Sequence, residues 1–181
     1  MNVHRVCVHC ASSRQCDPAC HKAAAELGRE LAAGGVTIVY GGSLAGSMGA
    51  LANAALEIGG KVIGILPQFM FDLELGYNRL TELIVVNDTR AETPDDLGRG
   101  CGRRAAWRLR YAGGDIRGDT WKRPGLFTGS IGLVNTLDFF SPCIEPLNHC
   151  IEHRFMDARH ALMWSVVDRA SEVLDAIRRS P

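Results

Sequence analysis

The sequence predicts an α/β fold with a doubly wound parallel sheet, organised as a single domain. Three observations carry this expectation. Short β-branched runs alternate with stretches of helical period along most of the chain. The connections between them are short, as β-α-β units with right-handed crossovers require. At 181 residues the chain has the size of one domain with one good core, and no repeat, linker or low-complexity segment divides it.

Each element has its own signal. Residues 3–9 (VHRVCVH) alternate and read as a first strand, followed by the loop ASSRQCDP with helix-start chemistry. PACHKAAAELGRELAAGG has helical spacing and closes on Gly34-Gly35, a C-cap signal. VTIVYGG is a buried strand running into glycines, and GSMGALANAALEIGG is a small-residue helix. KVIGILP, closed by Pro67, and TELIVVND are the third and fourth strands, and GLFTGSIGLVN contains a fifth. SPCIEPLNHCIEHRFMD reads as a helix, ALMWSVV as the last strand, and DRASEVLDAIRRS as a C-terminal helix capped by Asp168. Ligands of such folds sit at the C-terminal ends of the strands.

Composition narrows the partners. The formal net charge is zero, which gives no support to a nucleic-acid or acidic-membrane partner. No apolar run reaches the ~18–20 residues a membrane span needs. The start, MNVHRVCVHCASS, reads as strand and loop rather than as a signal peptide, so the expected compartment is the cytoplasm. Seven cysteines in a reducing compartment are expected as free thiols. Cys7, Cys10, Cys16 and Cys20 raise a metal site as one reading. Period-two geometry points residues 7 and 10 to opposite strand faces, so small buried hydrophobes are the expectation and no metal is assigned.

The stretch from about Ala91 to Gly118 breaks the pattern. It carries Arg99, Arg103, Arg104, Arg108, Arg110 and Arg117 with few long aliphatics. A solvated surface loop and a basic nucleic-acid loop are the two readings. Asp95, Asp96, Asp115 and Asp119 dilute the field the second would need, which favours the first. The segment is expected to contribute no packed strand or helix.

VYGGSLAGSMGA runs strand, glycines, helix. Free N–H groups at a helix N-terminus favour an anion, and glycines admit a phosphate closely. The spacing is neither G-x-G-x-x-G nor a P-loop, and no G-x-S-x-G is present. A phosphate cradle and a tight packing turn both fit the turn's position and composition.

These residues resemble a known family. VCVHCASS, VYGGSLAGSMGALANAAL, KVIGILPQFM, LTELIVVND, residues 125–135, NTLDFF and SEVLDAI are similar to segments of the Lonely Guy (LOG) family, once called lysine decarboxylases. The resemblance implies a Rossmann-like homodimer without a cofactor. It also implies hydrolysis of the N-glycosidic bond of cytokinin riboside 5′-monophosphates, giving free base and ribose 5-phosphate. The family's turn reads GGGxxGxMG. Gly41, Gly42, Ser43, Gly46, Met48 and Gly49 match it, with Ser43 in place of a glycine. Ser12 and Ser13 match the family's first nucleotide loop, and Glu74 falls at an acidic substrate-side position.

Two family motifs are missing: an Arg-Lys pair after the fourth strand, and Pro-Gly-Gly-x-Gly-Thr-x-x-Glu opening a helix. They carry the chemistry, because a carboxylate stabilises an oxocarbenium-like charge and orients water, while an arginine holds phosphate. The match stops after Asp88-Thr89-Arg90 and resumes at Thr120-Trp121-Lys122-Arg123, with Thr120 a candidate site residue. Arg90 and Glu92 are poor stand-ins for the Arg-Lys pair, and Asp115 matches a carboxylate only by spacing. No catalytic residue is assigned.

The flanks agree in register, which suggests two compensating frameshifts. Trp107 has only the codon TGG. Joining the last two bases of each codon to the first of the next turns Trp107 and its successors into Gly-Gly-Tyr-Gly-Thr-Leu-Glu-Glu, preceded by Ala-Leu-Pro. Ala91 to Pro94 decode as Arg-Lys-Arg-Arg, followed by Met. Both missing motifs return in order, with suitable codons. Out-of-frame reading of GC-rich codons also explains the arginines and glycines.

Overall fold

The structure is a computed structural model that describes residues 3–73, 77–87, 106–110 and 131–179. Its strands are β1 (Arg5–His9), β2 (Thr37–Tyr40), β3 (Val62–Pro67), β4 (Glu82–Val86), β5 (Ala106–Arg110), β6 (Ile131–Val134) and β7 (Trp164–Val167). They form one seven-stranded sheet in the order β4-β3-β2-β1-β5-β6-β7. Every neighbouring pair is parallel. The order reverses at β1, whose neighbours are β2 and β5. This is the doubly wound Rossmann-like arrangement, and its switch point lies between β1 and β5.

The helices are α1 (Pro18–Ala33), α2 (Gly46–Glu57), α3 (Gln68–Asp72), α4 (Ser141–Glu152) and α5 (Val173–Arg179). Asp17 starts α1 by accepting the Ala19 amide at 2.8 Å, with Pro18 pre-set at the first helical position. At the other end the Gly34 amide donates to Glu30 at 3.0 Å, and Gly35 takes a left-handed φ of +71°. The Gly34-Gly35 signal therefore marks a real helix end. α3 has no counterpart in the sequence reading, because five residues carry too little periodicity to register.

One core cluster joins Val6, Val8 and Cys10 of β1 and its exit, Ile38 and Tyr40 of β2, Val62 of β3, Leu27 and Leu31 of α1, Leu51 of α2 and Val173 of α5. α1, α2 and α5 therefore share one face of the sheet. Each fully buried leucine contributes about 2–3 kcal/mol of transfer free energy to this layer. Val39, Ile65 and Val86 form a second cluster. Val39 and Ile65 alternate along their strands with Ile38, Tyr40 and Val62 of the first, so this cluster belongs to the opposite face. The crossover β6–α4–β7 runs away from β1 in the other direction, and right-handedness then puts α4 on that opposite face.

α1 and α2 approach closely at Gly28. A Cβ there would overlap the Leu51 carbonyl and lie 3.3 Å from the Ala55 amide nitrogen. Helix-to-helix contact at backbone distance fixes where the N-termini of both helices sit.

Two expectations need correction. Residues 91–118 were expected to supply no packed strand, yet Ala106–Arg110 is β5, paired on both sides. A parallel sheet needs backbone partners for β1 and β6, and any proline-free extended segment can supply them. The remainder of 91–118 lies outside the described residues. Asp168 does not cap the last helix. Its amide and that of Arg169 donate to Glu172 at 3.2 and 3.4 Å, so Glu172 organises a 3-10 turn (Ala170–Glu172) ahead of α5. The Arg169 side-chain hydrogen bond is the main reason the Glu172 carboxyl stays below the ordinary carboxylate range.

Among the described residues, no helix is long and apolar enough to cross a membrane.

Candidate functional site

The candidate site forms where two loops leave the C-terminal ends of β1 and β2. The first runs from Cys10 to Asp17 and the second from Gly41 to Ala45, where it meets the head of α2. Their contact is made by backbone. Gly46 has φ +57°, and a Cβ on it would lie 2.7 Å from the Ser12 carbonyl and overlap that of Ser13. The Met48 amide donates to the Ala11 carbonyl at 3.3 Å. The structure thus brings Ser12, Ser13, Gly46 and Met48 together.

The second loop is shaped from within. Gly42 has φ +71°, and its carbonyl accepts the Tyr77 amide at 3.1 Å. A Cβ on Gly42 would press on Leu66 and Leu83 at 3.3 and 3.2 Å. Gly41 gives room to the Met48 thioether, whose terminal carbon would stand 3.3 Å from an added Cβ. Gly49 lies under the Leu44 carbonyl, so a Cβ there would collide with it. The packing role of these glycines is on view.

The electrostatics follow from donor accounting. Gly46 and Ser47 are the first two residues of α2, and their amides have no acceptor within the helix. The helix dipole adds partial positive charge at the same place. Met48 spends its amide on Ala11, and Gly49 donates to Ala45 at 3.2 Å. Ser43 is buried, and its Oγ accepts the Ala45 amide at 3.1 Å. The serine that replaces the family glycine therefore occupies one donor of the turn with its own side chain.

Supporting residues that the sequence reading missed surround this frame. Tyr77 donates its hydroxyl to Asn53 of α2 at 2.5 Å, while its backbone holds Gly42. The Tyr40 hydroxyl donates to the Ser43 carbonyl at 3.3 Å, and burial pushes its ionisation well above the ordinary tyrosine value. His21 of α1 meets Ser47 at the head of α2 and Cys16 of the first loop. No sequence signal joins Cys16, His21 and Ser47, because they lie 5 to 31 positions apart.

Cys10 joins the core cluster of Val6 and Val8, whereas Cys7 pairs with Val39 on the opposite side. The two sulfurs of the CxxC spacing thus leave on different faces. Among the described residues no group of three or more possible metal ligands occurs. Glu74, Thr120, Arg90, Glu92 and Asp115 lie outside the described residues.

Residues 4–86, which contain both loops, match the family model described as the SLOG cluster4 family. The chain is 32% identical over 139 residues to the cytokinin riboside 5′-monophosphate phosphoribohydrolase of Rhodococcoides fascians, covering 72% of this chain and 67% of that protein. The chain belongs to the Lonely Guy family. The rice relative, cytokinin riboside 5′-monophosphate phosphoribohydrolase LOG, is 28% identical over 163 residues, covering 88% of this chain and 67% of its own length. The chain spans only 65–67% of the length of three of the curated rice relatives it matches. Two solved structures share the Lonely Guy chain's fold. The Moco carrier protein of Chlamydomonas reinhardtii superposes with a TM-score of 0.68 at 17% identity, covering 98% of this chain and 97% of that one. The molybdenum cofactor binding protein of Rippkaea orientalis does so with a TM-score of 0.67 at 16% identity, covering 98% and 97%. At such identities the likeness concerns the fold alone.

Proposed function

We propose that the head of α2 and the Ser12–Ser13 loop hold the phosphate of a nucleoside 5′-monophosphate. The reaction this fold serves is hydrolysis of the N-glycosidic bond of cytokinin riboside 5′-monophosphates, to free base and ribose 5-phosphate. One observation carries the reading. The Gly46 and Ser47 amides, without helical acceptors, sit against the first loop, beside the sheet's switch point. Gly41, Gly42, Ser43, Met48 and Gly49 shape the turn, and the family resemblance assigns Glu74 and Thr120, which lie outside the described residues, to the substrate.

The chemistry needs more than the cradle. Cleaving the bond to ribose builds positive charge on the sugar, which calls for a carboxylate and an oriented water. The family's Arg-Lys pair and Pro-Gly-Gly-x-Gly-Thr-x-x-Glu motif are absent from this sequence. A second reading follows from that absence. The chain with its present residues is a nucleotide-binding form without base-cleaving residues, and the hydrolase is the product of a gene in which the two frameshifts around 91–118 are reversed. The reading includes a single-domain, cytoplasmic homodimer.

Incubation with isopentenyladenosine 5′-monophosphate, with free base as the readout, tests both readings. The frame-restored chain is expected to release base and the present chain to bind without release. Release by the present chain at an enzymatic rate would show that the missing motifs are dispensable. No release by either chain would end the hydrolase reading.

A further inference from the structure

Cys16, His21 and Ser47 come from three elements and meet beside the head of α2. Cys16 Sγ lies 3.4 Å from His21 Nε2, and His21 Nδ1 lies 3.1 Å from Ser47 Oγ. Sγ is also 3.8 Å from both His21 Nδ1 and Ser47 Oγ, and 3.5 Å from the Ser13 carbonyl. Ser47 is fully buried, whereas Cys16 is half-buried and reachable from solvent. A nucleophile, a base within reach of it, and a buried hydroxyl that fixes the base's ring constitute an activated-nucleophile arrangement. Sγ lies side-on to the imidazole, nearly equidistant from its two nitrogens, and the thiol donates to the Ser13 carbonyl at 3.5 Å; rotation of the ring about its Cβ–Cγ bond brings the Nε2 lone pair onto the thiol proton.

We propose that Cys16 is a reactive thiol and the chain's modification site for small soft electrophiles, hydrogen peroxide in particular. Sulfur attacks one peroxide oxygen as the O–O bond breaks. The thiol proton passes to His21 and from there to the departing hydroxide, which leaves as water. Sulfur is oxidised by two electrons to a sulfenic acid, and peroxide is reduced by two. The proposal is independent of the nucleotide reading, since it needs neither phosphate nor base.

The structure supplies its own control. Cys143 on α4 is more exposed than Cys16, and neither a hydrogen bond nor an ion pair from a histidine reaches it among the described residues. Accessibility alone would make Cys143 the faster thiol. The test is limiting hydrogen peroxide with dimedone as the trap, read by peptide mass spectrometry at each cysteine. Cys16 is expected to be trapped about a hundredfold faster than Cys143, the smaller end of what a positioned base supplies. His21→Gln is expected to bring Cys16 down to the Cys143 rate while leaving Cys143 unchanged, and Ser47→Ala to give an intermediate rate. Equal or faster trapping at Cys143 in the native chain would overturn the proposal whatever the variants do. So would an unchanged Cys16 rate in His21→Gln.

Discussion

Gly46 and Ser13 touch through their backbones: a side chain on the glycine would overlap the serine carbonyl. That contact ties the first loop to the head of α2 and sets the geometry of the cradle. Gly46→Ala must place a Cβ there at φ +57°, where the left-handed region alone costs about 1–2 kcal/mol. The variant is expected to unfold at lower urea concentration and to bind AMP more weakly. Unchanged AMP affinity in a folded Gly46→Ala chain would separate the contact from the site.

Ser43 makes the opposite test. Its hydroxyl occupies the Ala45 amide at 3.1 Å. Ser43→Gly frees that donor, and a hydrogen bond to a charged phosphate oxygen is worth about 1.5–3 kcal/mol against a glycine entropy cost of roughly 0.5–1 kcal/mol. AMP is expected to bind several-fold more tightly to the variant in a calorimetric titration. Weaker binding would show that the serine side chain itself holds the anion.

Gly28 decides a sign. In an exposed helix Gly→Ala stabilises by about 1 kcal/mol. Here the new methyl would overlap the Leu51 carbonyl, which is backbone and cannot swing aside. Gly28→Ala is therefore expected to destabilise the fold by urea denaturation. Leu27→Ala, one residue earlier and fully buried, is expected to cost about 2–5 kcal/mol.

The buried Cys10 thiol gives a pH dependence. Burial, then the neighbouring Cys16, push it from its ordinary 9.0 up to about 12. The folded chain keeps a proton that the unfolded chain releases above pH 9. The corresponding stability is complete below about pH 9 and is lost as pH rises from there towards 12. The slope is at most about 1.4 kcal/mol per pH unit for one such group. Tyr40, raised chiefly by burial, adds a slope of the same sign beginning higher. Urea unfolding of Cys10→Ala from pH 8 to 11 is expected to show a shallower decline than the native chain. Parallel declines would refute the assignment.

Much of this architecture was legible because it rests on local signals. The Asp17-Pro18 start and Gly34-Gly35 end of α1 are chemical punctuation, and the structure uses both. The β-branched runs of β2, β3 and β4 became strands for the same reason. β5 was missed because its place follows from the hydrogen-bond demands of β1 and β6, which are remote in sequence. Asp168 was misread because the turn starts one residue later, at Arg169, and is closed by Glu172 reaching back to the Asp168 and Arg169 amides. Ser12, Ser13 and the glycine turn were legible through their match to a family pattern. The Cys16–His21–Ser47 group was not, because it exists only once α1 and α2 pack at Gly28.

The cradle itself is the central claim, and calorimetric titration of the chain with AMP and, separately, with adenosine tests it most directly. AMP is expected to bind at one site per chain, with adenosine about tenfold weaker or more, because the phosphate supplies the charge that the Gly46 and Ser47 amides attract. Equal affinity for the two, or no binding of AMP, would contradict the account.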